Sequence, residues 1–215
     1  MKLLLTSNGL TTSNIRNAFI HIVGKPLSQV TVALIPTASD PIDRALIQQT
    51  IDGLKQLGDI TLREFELRGV KEVEVVDLKN FSETELKLKL QKFDVIWVNG
   101  GNTFYLLYWA KKSGFLDIVP KLLQEGKVYV GVSAGSILAT PNIEVAGWKN
   151  VDDPNVVKLD DLRALNLVSF YLLPHYSSFW EEFVKDKTST LSNKLICLTN
   201  TQAVTIIDGV MSLIE

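Results

Sequence analysis

Val128-Tyr129-Val130-Gly131-Val132-Ser133-Ala134-Gly135-Ser136-Ile137-Leu138 is the stretch on which the whole chain turns. It opens as an apolar, β-branched run, the pattern of a strand buried on both faces of a parallel sheet. It closes in small and apolar residues that suit a helix. Between them lies Gly131-Val132-Ser133-Ala134-Gly135, a G-x-S-x-G pattern with the layout of a nucleophile elbow. A serine on so tight a turn leaves no room for side chains two positions away, so glycine is required on both sides. The turn lifts the hydroxyl above the end of the sheet and brings the next backbone N–H groups to the same point. The structural alternative is a tight strand-to-helix turn with an incidental serine.

Outward from the elbow, apolar strand patterns alternate with helical ones. Toward the N-terminus, Lys2 to Thr6 reads as a first strand, ended by Ser7-Asn8-Gly9. A helix follows with Ile15, Ala18, Phe19 and Ile22 on one face and Gly24 as its stop. Gln29 to Pro36 is a second buried strand. Asp40-Pro41-Ile42-Asp43 supplies an N-cap and a first-turn proline for a helix carrying Ile47, Ile51 and Leu54 and stopping at Gly58. Ile60 to Glu66 and Val73 to Leu78 are shorter strand candidates. Ser82 and Glu85 form a capping box. Asp94 to Val98 is a further buried strand, followed by Asn99-Gly100-Gly101-Asn102, a helix from Thr103 to Lys112, and another from Leu116 to Gln124. Past the elbow, Thr140 to Leu162 is a long loop rich in turn residues and acids, of the kind that forms a lid or binding loop. Leu167 to Leu173 reads as a strand ended by Pro174-His175, Ser178 to Asp186 as a helix, and Leu195 to Leu198 as a strand. Val204 to Leu213 is a hairpin around Asp208-Gly209. This order predicts the α/β class, with one domain over residues 1–215 and a doubly wound, mostly parallel sheet covered on both faces. The C-terminal β-hairpin adds antiparallel edge strands.

Composition narrows the functional classes. Of 215 residues, 46% are hydrophobic and 21% charged, an ordinary globular balance, and the net charge of −2 leaves no footprint for nucleic acid or an anionic membrane. No apolar stretch is long enough to span a bilayer, and no signal peptide is recognisable. The single cysteine, Cys197, excludes an internal disulfide and reads as a small core residue, so the expected compartment is the cytoplasm. No His/Cys/Asp cluster has metal-ligand spacing, so neither metal nor cofactor is expected.

In a parallel sheet, ligands bind beyond the carboxyl ends of the strands. Three turns at such ends carry glycines or reactive groups: Asn99 to Asn102, Gly131 to Gly135, and Pro174-His175. A serine hydroxyl becomes nucleophilic when a base takes its proton, and histidine is the usual base. The chain has two histidines. His21 lies off the apolar face of the first helix and reads as a solvated residue, whereas His175 follows a strand at the functional end of the sheet. An oxyanion needs donors. The Ala134 N–H follows the nucleophile, and a second donor fits Gly100 or Gly101.

Asn99-Gly100-Gly101-Asn102-Thr103-Phe104, Gly131 to Ser136 and Leu173-Pro174-His175-Tyr176 together resemble the hallmark segments of the aspartyl dipeptidase and cyanophycinase family of serine peptidases. The first strand, Ile35-Pro36-Thr37-Ala38 and Leu198 to Ala203 are similar to the same layout, so the resemblance spans nearly the whole chain. It implies a flavodoxin-like sheet related to the class I glutamine amidotransferase fold. It also implies hydrolysis of short peptides, dipeptides with an N-terminal aspartate in particular, through an acyl-enzyme. By motif, Ser133 becomes the nucleophile, His175 the general base, and the N–H groups of Gly101 and Ala134 the oxyanion hole.

For the third triad member the resemblance points to a carboxylate near the Leu-Thr-x-x-Gln-Ala segment or in the loop after the elbow. The first place holds Asn200, which can fix an imidazole tautomer without supplying an anion. The second holds Asp152 and Asp153, and both options stand. Lys149, Lys158 and Arg163 in the long loop are the candidate partners for an acidic substrate side chain. Two competing readings remain: an esterase on the α/β-hydrolase plan, and a non-catalytic peptide-binding relative with a weakened triad. The expected partner in the peptidase reading is a small peptide, with no nucleic acid or membrane.

Overall fold

Strand β1 (Lys2–Thr6) sends Leu3 and Leu5 to one face of a sheet and Leu4 to the other, and all three are fully buried. The same alternation runs through β2 (Thr31–Ile35), β4 (Val95–Val98) and β5 (Val128–Val132). Residues apolar on both faces are stable only in a sheet covered on both sides. The computed structural model, which describes residues 1–39, 44–56 and 69–215, has that arrangement. Helices α1 (Ser13–Val23) and α2 (Arg44–Lys55) pack Ile15, Phe19, Ile22, Ile47 and Leu54 against one face. Helices α3 (Glu83–Leu90), α4 (Thr103–Lys112), α5 (Phe115–Gln124) and α6 (Ala134–Leu138) cover the other.

The central sheet has seven strands in the order β3-β2-β4-β5-β1-β8-β9, where β3 is Glu72–Val75, β8 is Ala203–Ile207 and β9 is Val210–Ile214. The first five run parallel, and the hairpin of β8 and β9 joins β1 antiparallel at one edge. Counted from β2, the parallel strands follow the flavodoxin order 2-1-3-4-5, with β1 standing where the fifth strand would be. The carboxyl ends of β4, β5 and β1 therefore lie side by side, and each carries one of the turns that matter below.

Several expectations shift. The helix cap at Asp40 to Asp43, the stop at Gly58 and the strand at Ile60 to Glu66 lie outside the described residues. The strand expected over Leu167 to Leu173 shortens to β6 (Tyr171–Leu173) and leaves the central sheet, pairing in parallel with β7 (Leu195–Cys197). The cause is visible in the hydrogen bonds. The N–H groups of Leu165 and Leu167 bond to the carbonyls of Leu138 and Ala139, and that of Asn166 to Thr140. Those bonds satisfy the orphan carbonyls at the end of α6, so the segment cannot serve as a ladder strand. The helix after His175 begins as a 3-10 turn (Ser178–Trp180) and continues as α7 (Glu181–Lys187). Cys197 is half-buried rather than enclosed, packed beside Tyr171 and Leu173, and burial pushes its thiol up to about 11. Among the described residues, no helix is long and apolar enough to cross a membrane.

Tyr129 links fold to site. It is wholly buried, and its hydroxyl donates to the carbonyl of Gly135 at 2.7 Å. Replacing it with phenylalanine leaves that carbonyl without its donor in a dry interior. Tyr129→Phe is expected to lower unfolding free energy by about 1–3 kcal/mol, measured by urea denaturation; an unchanged midpoint refutes the coupling.

Candidate active site

Ser133 follows β5 directly and caps α6, with φ 49° and ψ −109°, a conformation that L-residues seldom adopt and that costs on the order of 1–3 kcal/mol. The surroundings over-determine it. A Cβ on Gly131 would stand 2.7 Å from the Gly135 backbone, and one on Gly135 would stand 2.2 Å from the Val98 carbonyl of the neighbouring strand. Glycine at both positions is thus a matter of space. The turn is further held by the Ser133 N–H donating to Thr6 O at 3.0 Å. The Ser136 hydroxyl lies 2.8 Å from the carbonyls of both Thr6 and Gly131.

His175, just past β6, also has positive φ, 56°. Its backbone N–H donates to Ser7 Oγ at 2.7 Å. Its imidazole is exposed and reaches two partners. Nε2 lies 2.9 Å from Ser133 Oγ, and Nδ1 lies 2.6 Å from Asn200 Oδ1. Ser7 Oγ, fully buried, lies 3.3 Å from the same Asn200 oxygen. Ser7 accepts from His175 N–H, and its own hydrogen goes to Asn200. With Oδ1 accepting from Ser7, the His175 proton sits on Nδ1 and the Nε2 lone pair faces the serine hydroxyl. The Thr11 hydroxyl donates to the Asn200 carbonyl at 3.0 Å, anchoring the turn that carries it.

The donors for an oxyanion stand nearby. Ala134 opens α6, so its N–H has no partner within the helix. Gly101 has φ 134°, and a Cβ there would meet the Ala38 carbonyl at 2.4 Å. The Gly100 carbonyl accepts from Ser39 Oγ at 2.9 Å. Across a trans peptide, the Gly101 N–H points the opposite way. Gly100 itself packs on the nucleophile turn, where a Cβ would stand 3.1 Å from Ser133 Cβ.

Of the two options for a third member, the structure brings Asn200 to the imidazole. Asp152 goes elsewhere: its Oδ2 accepts the Thr103 N–H at 2.8 Å, at the positive end of α4. It touches His175 only through space, as a charge. Asp153 offers its backbone carbonyl to Asn102 Nδ2 at 3.0 Å.

Two cavities meet at this point, and Ser133 and His175 line both. One, of about 570 Å³, is lined by Asn8, Gln49, Asn99 and Arg16 together with apolar Leu10, Trp97 and Val132. The other, of about 310 Å³, is walled by Ile137, Val145, Leu173 and Trp180 together with Asp152. None of Lys149, Lys158 and Arg163 lines either. Lys149 Nζ sits 3.8 Å over the Phe179 ring, and Arg163 pairs with Asp161 at 2.9 Å. Ser7 and Arg16 are the site residues that sequence reasoning passes over. A polar residue directly after a central strand was the available signal for Ser7; Arg16 had none, since it reads as an ordinary polar helix position. His21 is exposed on α1, away from Ser133. Among the described residues, no group of three or more His, Cys, Asp and Glu is placed to hold a metal ion.

Comparison with known proteins gives a concordant picture. Residues 3–214 match the model of peptidase family S51. An uncharacterized peptidase of Pasteurella multocida is 32% identical over 178 residues, 83% of this chain and 78% of the relative. Peptidase E of Shewanella denitrificans is 39% identical over 93 residues, 43% of this chain and 37% of the relative. The crystal structure of a protein described as a candidate peptidase E from Listeria monocytogenes superposes with a TM-score of 0.77 at 29% identity, covering 99% of this chain and 96% of that one.

The elbow's packing makes a direct prediction. Gly135→Ala drives a methyl group into the Val98 carbonyl and is expected to cost about 1–3 kcal/mol. A thermal melt unchanged from that of the unsubstituted protein sinks the steric account.

Proposed function

The chain belongs to peptidase family S51 and is a peptidase, and from that premise we propose that it is a serine exopeptidase of short peptides, with Ser133 as nucleophile and His175 as general base. The observation that carries this reading is the continuous hydrogen-bonded line from Asn200 Oδ1 through the imidazole to Ser133 Oγ, at 2.6 and 2.9 Å. Ser133 Oγ attacks the scissile carbonyl carbon while Nε2 takes its proton. The oxyanion of the tetrahedral adduct receives the N–H groups of Ala134 and Gly101. The imidazolium gives its proton to the leaving nitrogen as the C–N bond breaks, leaving an ester on Ser133. A water, deprotonated by Nε2, hydrolyses that ester and restores the hydroxyl.

Asn200 supports this cycle by holding the tautomer, and Ser7 supports it by holding both the His175 backbone and the Asn200 amide. Asn200 carries no charge, so the imidazolium gains less stabilisation than a carboxylate would give. The cavity volumes, about 570 and 310 Å³, suit one or two residues on either side of the scissile bond, which favours dipeptides. The N-terminal aspartate implied by the family resemblance requires a cation beside the acyl half. Among the described residues Arg16 is the cation that lines the larger cavity, which favours an acyl half lying on the Arg16 side.

Ser133→Ala and His175→Ala are each expected to lower kcat/KM on a dipeptide panel by on the order of 10⁴-fold, with unchanged circular dichroism. A fluorophosphonate is expected to label Ser133. Turnover by Ser133→Ala at the wild-type rate ends the serine mechanism, and absence of labelling together with peptide binding favours a non-catalytic protein. Asn200→Ala is expected to reduce kcat by on the order of 10²-fold while KM stays within a few-fold. A change in KM alone removes Asn200 from the imidazole's orientation.

A further inference from the structure

The peptidase cycle calls on two N–H groups for the oxyanion, and the fold fixes them unequally. That of Ala134 is held by the elbow, where the Ser133 carbonyl accepts the N–H groups of Ser136 and Ile137 at 2.8 and 3.0 Å. That of Gly101 belongs to a peptide unit between two glycines, and among the described residues it has no acceptor. Gly101 has φ 134°, a value that glycine alone adopts readily. With no Cβ on either side, such a unit turns over at little steric cost and exchanges its N–H for its carbonyl. In the turned-over state an oxygen would face the oxyanion and repel it.

The turn after β2 holds the unit in one of the two states. The Ser39 N–H donates to Pro36 O at 2.9 Å and closes that turn. The Ala38 carbonyl accepts the Asn102 N–H at 2.9 Å, and Ser39 Oγ donates to Gly100 O at 2.9 Å. A Cβ on Gly101 would stand 2.4 Å from Ala38 O, so the two turns lie in direct contact. The first turn is itself anchored. Thr37, fully buried, donates from Oγ1 to Asp77 Oδ1 at 2.9 Å and accepts the Leu78 N–H at 2.9 Å. Asp77 is 6% exposed and pairs with Lys79 at 3.3 Å. A buried carboxylate with no part in the peptidase cycle thus fixes the segment that carries Ser39. The contacts pass from beyond β3, through the turn after β2, to the turn after β4, in the order in which those strands lie in the sheet.

We propose that Ser39 is a positioning residue of the oxyanion hole. Its hydroxyl, donated to the Gly100 carbonyl, selects the orientation of the Gly100–Gly101 peptide that presents the Gly101 N–H to the oxyanion. This rests on the serine exopeptidase reading and adds to it a residue that touches neither substrate nor Ser133. Gly101 and Ser133 line the same cavity, so the orientation of that N–H bears on the reacting carbonyl. The same hydrogen bond polarises the peptide it holds, which makes the Gly101 N–H a stronger donor. Ser39 is half-buried, so removing its hydroxyl leaves the core untouched.

The test compares the full chain with Ser39→Ala and Ser39→Thr on the dipeptide that the unsubstituted protein cleaves fastest. Losing one oxyanion donor outright costs about 10²- to 10³-fold in kcat, and Ser39→Ala frees the donor without deleting it, so a loss of about 10- to 100-fold is expected. KM is expected to stay within about 3-fold, because the oxyanion forms only after substrate binds. The rate at which a fluorophosphonate labels Ser133 is expected to fall by a factor similar to that in kcat, since its phosphoryl oxygen gains charge in the same place. Ser39→Thr, which keeps the hydroxyl, is expected to recover most of both rates. An unchanged kcat overturns the proposal, as does a loss carried by KM alone. Ser39→Thr performing no better than Ser39→Ala also overturns it, because the hydroxyl is then not the agent. A lowered melting temperature with kcat intact assigns Ser39 to the fold alone. If Ser133 labels equally fast in the unsubstituted protein and in Ser39→Ala, the positioning role falls while the serine nucleophile stands. If the unsubstituted protein neither labels nor cleaves any peptide, the exopeptidase reading fails and takes this inference with it.

Discussion

The backbone of one residue, Ser133, is held where an L-side chain is strained, and much of the molecule serves that constraint. Gly131 and Gly135 give up their side chains because the elbow touches itself and the neighbouring strand within van der Waals range. Tyr129 and Ser136, both buried, spend their hydroxyls on carbonyls of the same turn. Strand β1 contributes twice, through the Thr6 carbonyl that accepts the Ser133 N–H and through the Thr6 hydroxyl that donates to Gly131 O at 3.0 Å. Strain of a few kcal/mol is sustainable because these hydrogen bonds and close contacts hold the turn in place.

Orientation and charge are separated around His175. In a Ser-His-Asp site one carboxylate does both jobs. Here the neutral amide of Asn200 meets the ring at Nδ1, and the half-buried carboxylate of Asp152 accepts the Thr103 N–H at the N-terminus of α4. Ser7 ties the His175 main chain to the Asn200 side chain, so hydrogen bonds link the three turns. The imidazole itself is exposed, which leaves water able to solvate its cation where a carboxylate is missing.

The elbow was legible because steric demand writes itself into sequence: glycine at two fixed positions after a β-branched run has few other uses. The buried strands and the Asp-Gly hairpin were legible for the same local reason. What escaped depended on long-range pairing. Leu167 had every mark of a strand residue, yet its N–H was needed at the end of α6. Asn200 and Asp152 could not be ranked against each other, since which one meets the ring depends on the course of a loop that local propensity does not determine. Ser7 looked like turn punctuation, and Arg16 like a solvated helix residue. Both acquire meaning from neighbours more than 100 residues away or from a cavity that exists only after folding.

The hydroxyl, the ring and the amide come from separate stretches of chain, 42 residues between Ser133 and His175 and another 25 to Asn200, while Ser7 lies 193 residues before Asn200. During synthesis the serine leaves the ribosome well ahead of the groups that align it. The Ser133 hydroxyl therefore stays an ordinary alcohol, with no proton acceptor in register, until the segments carrying His175 and Asn200 dock.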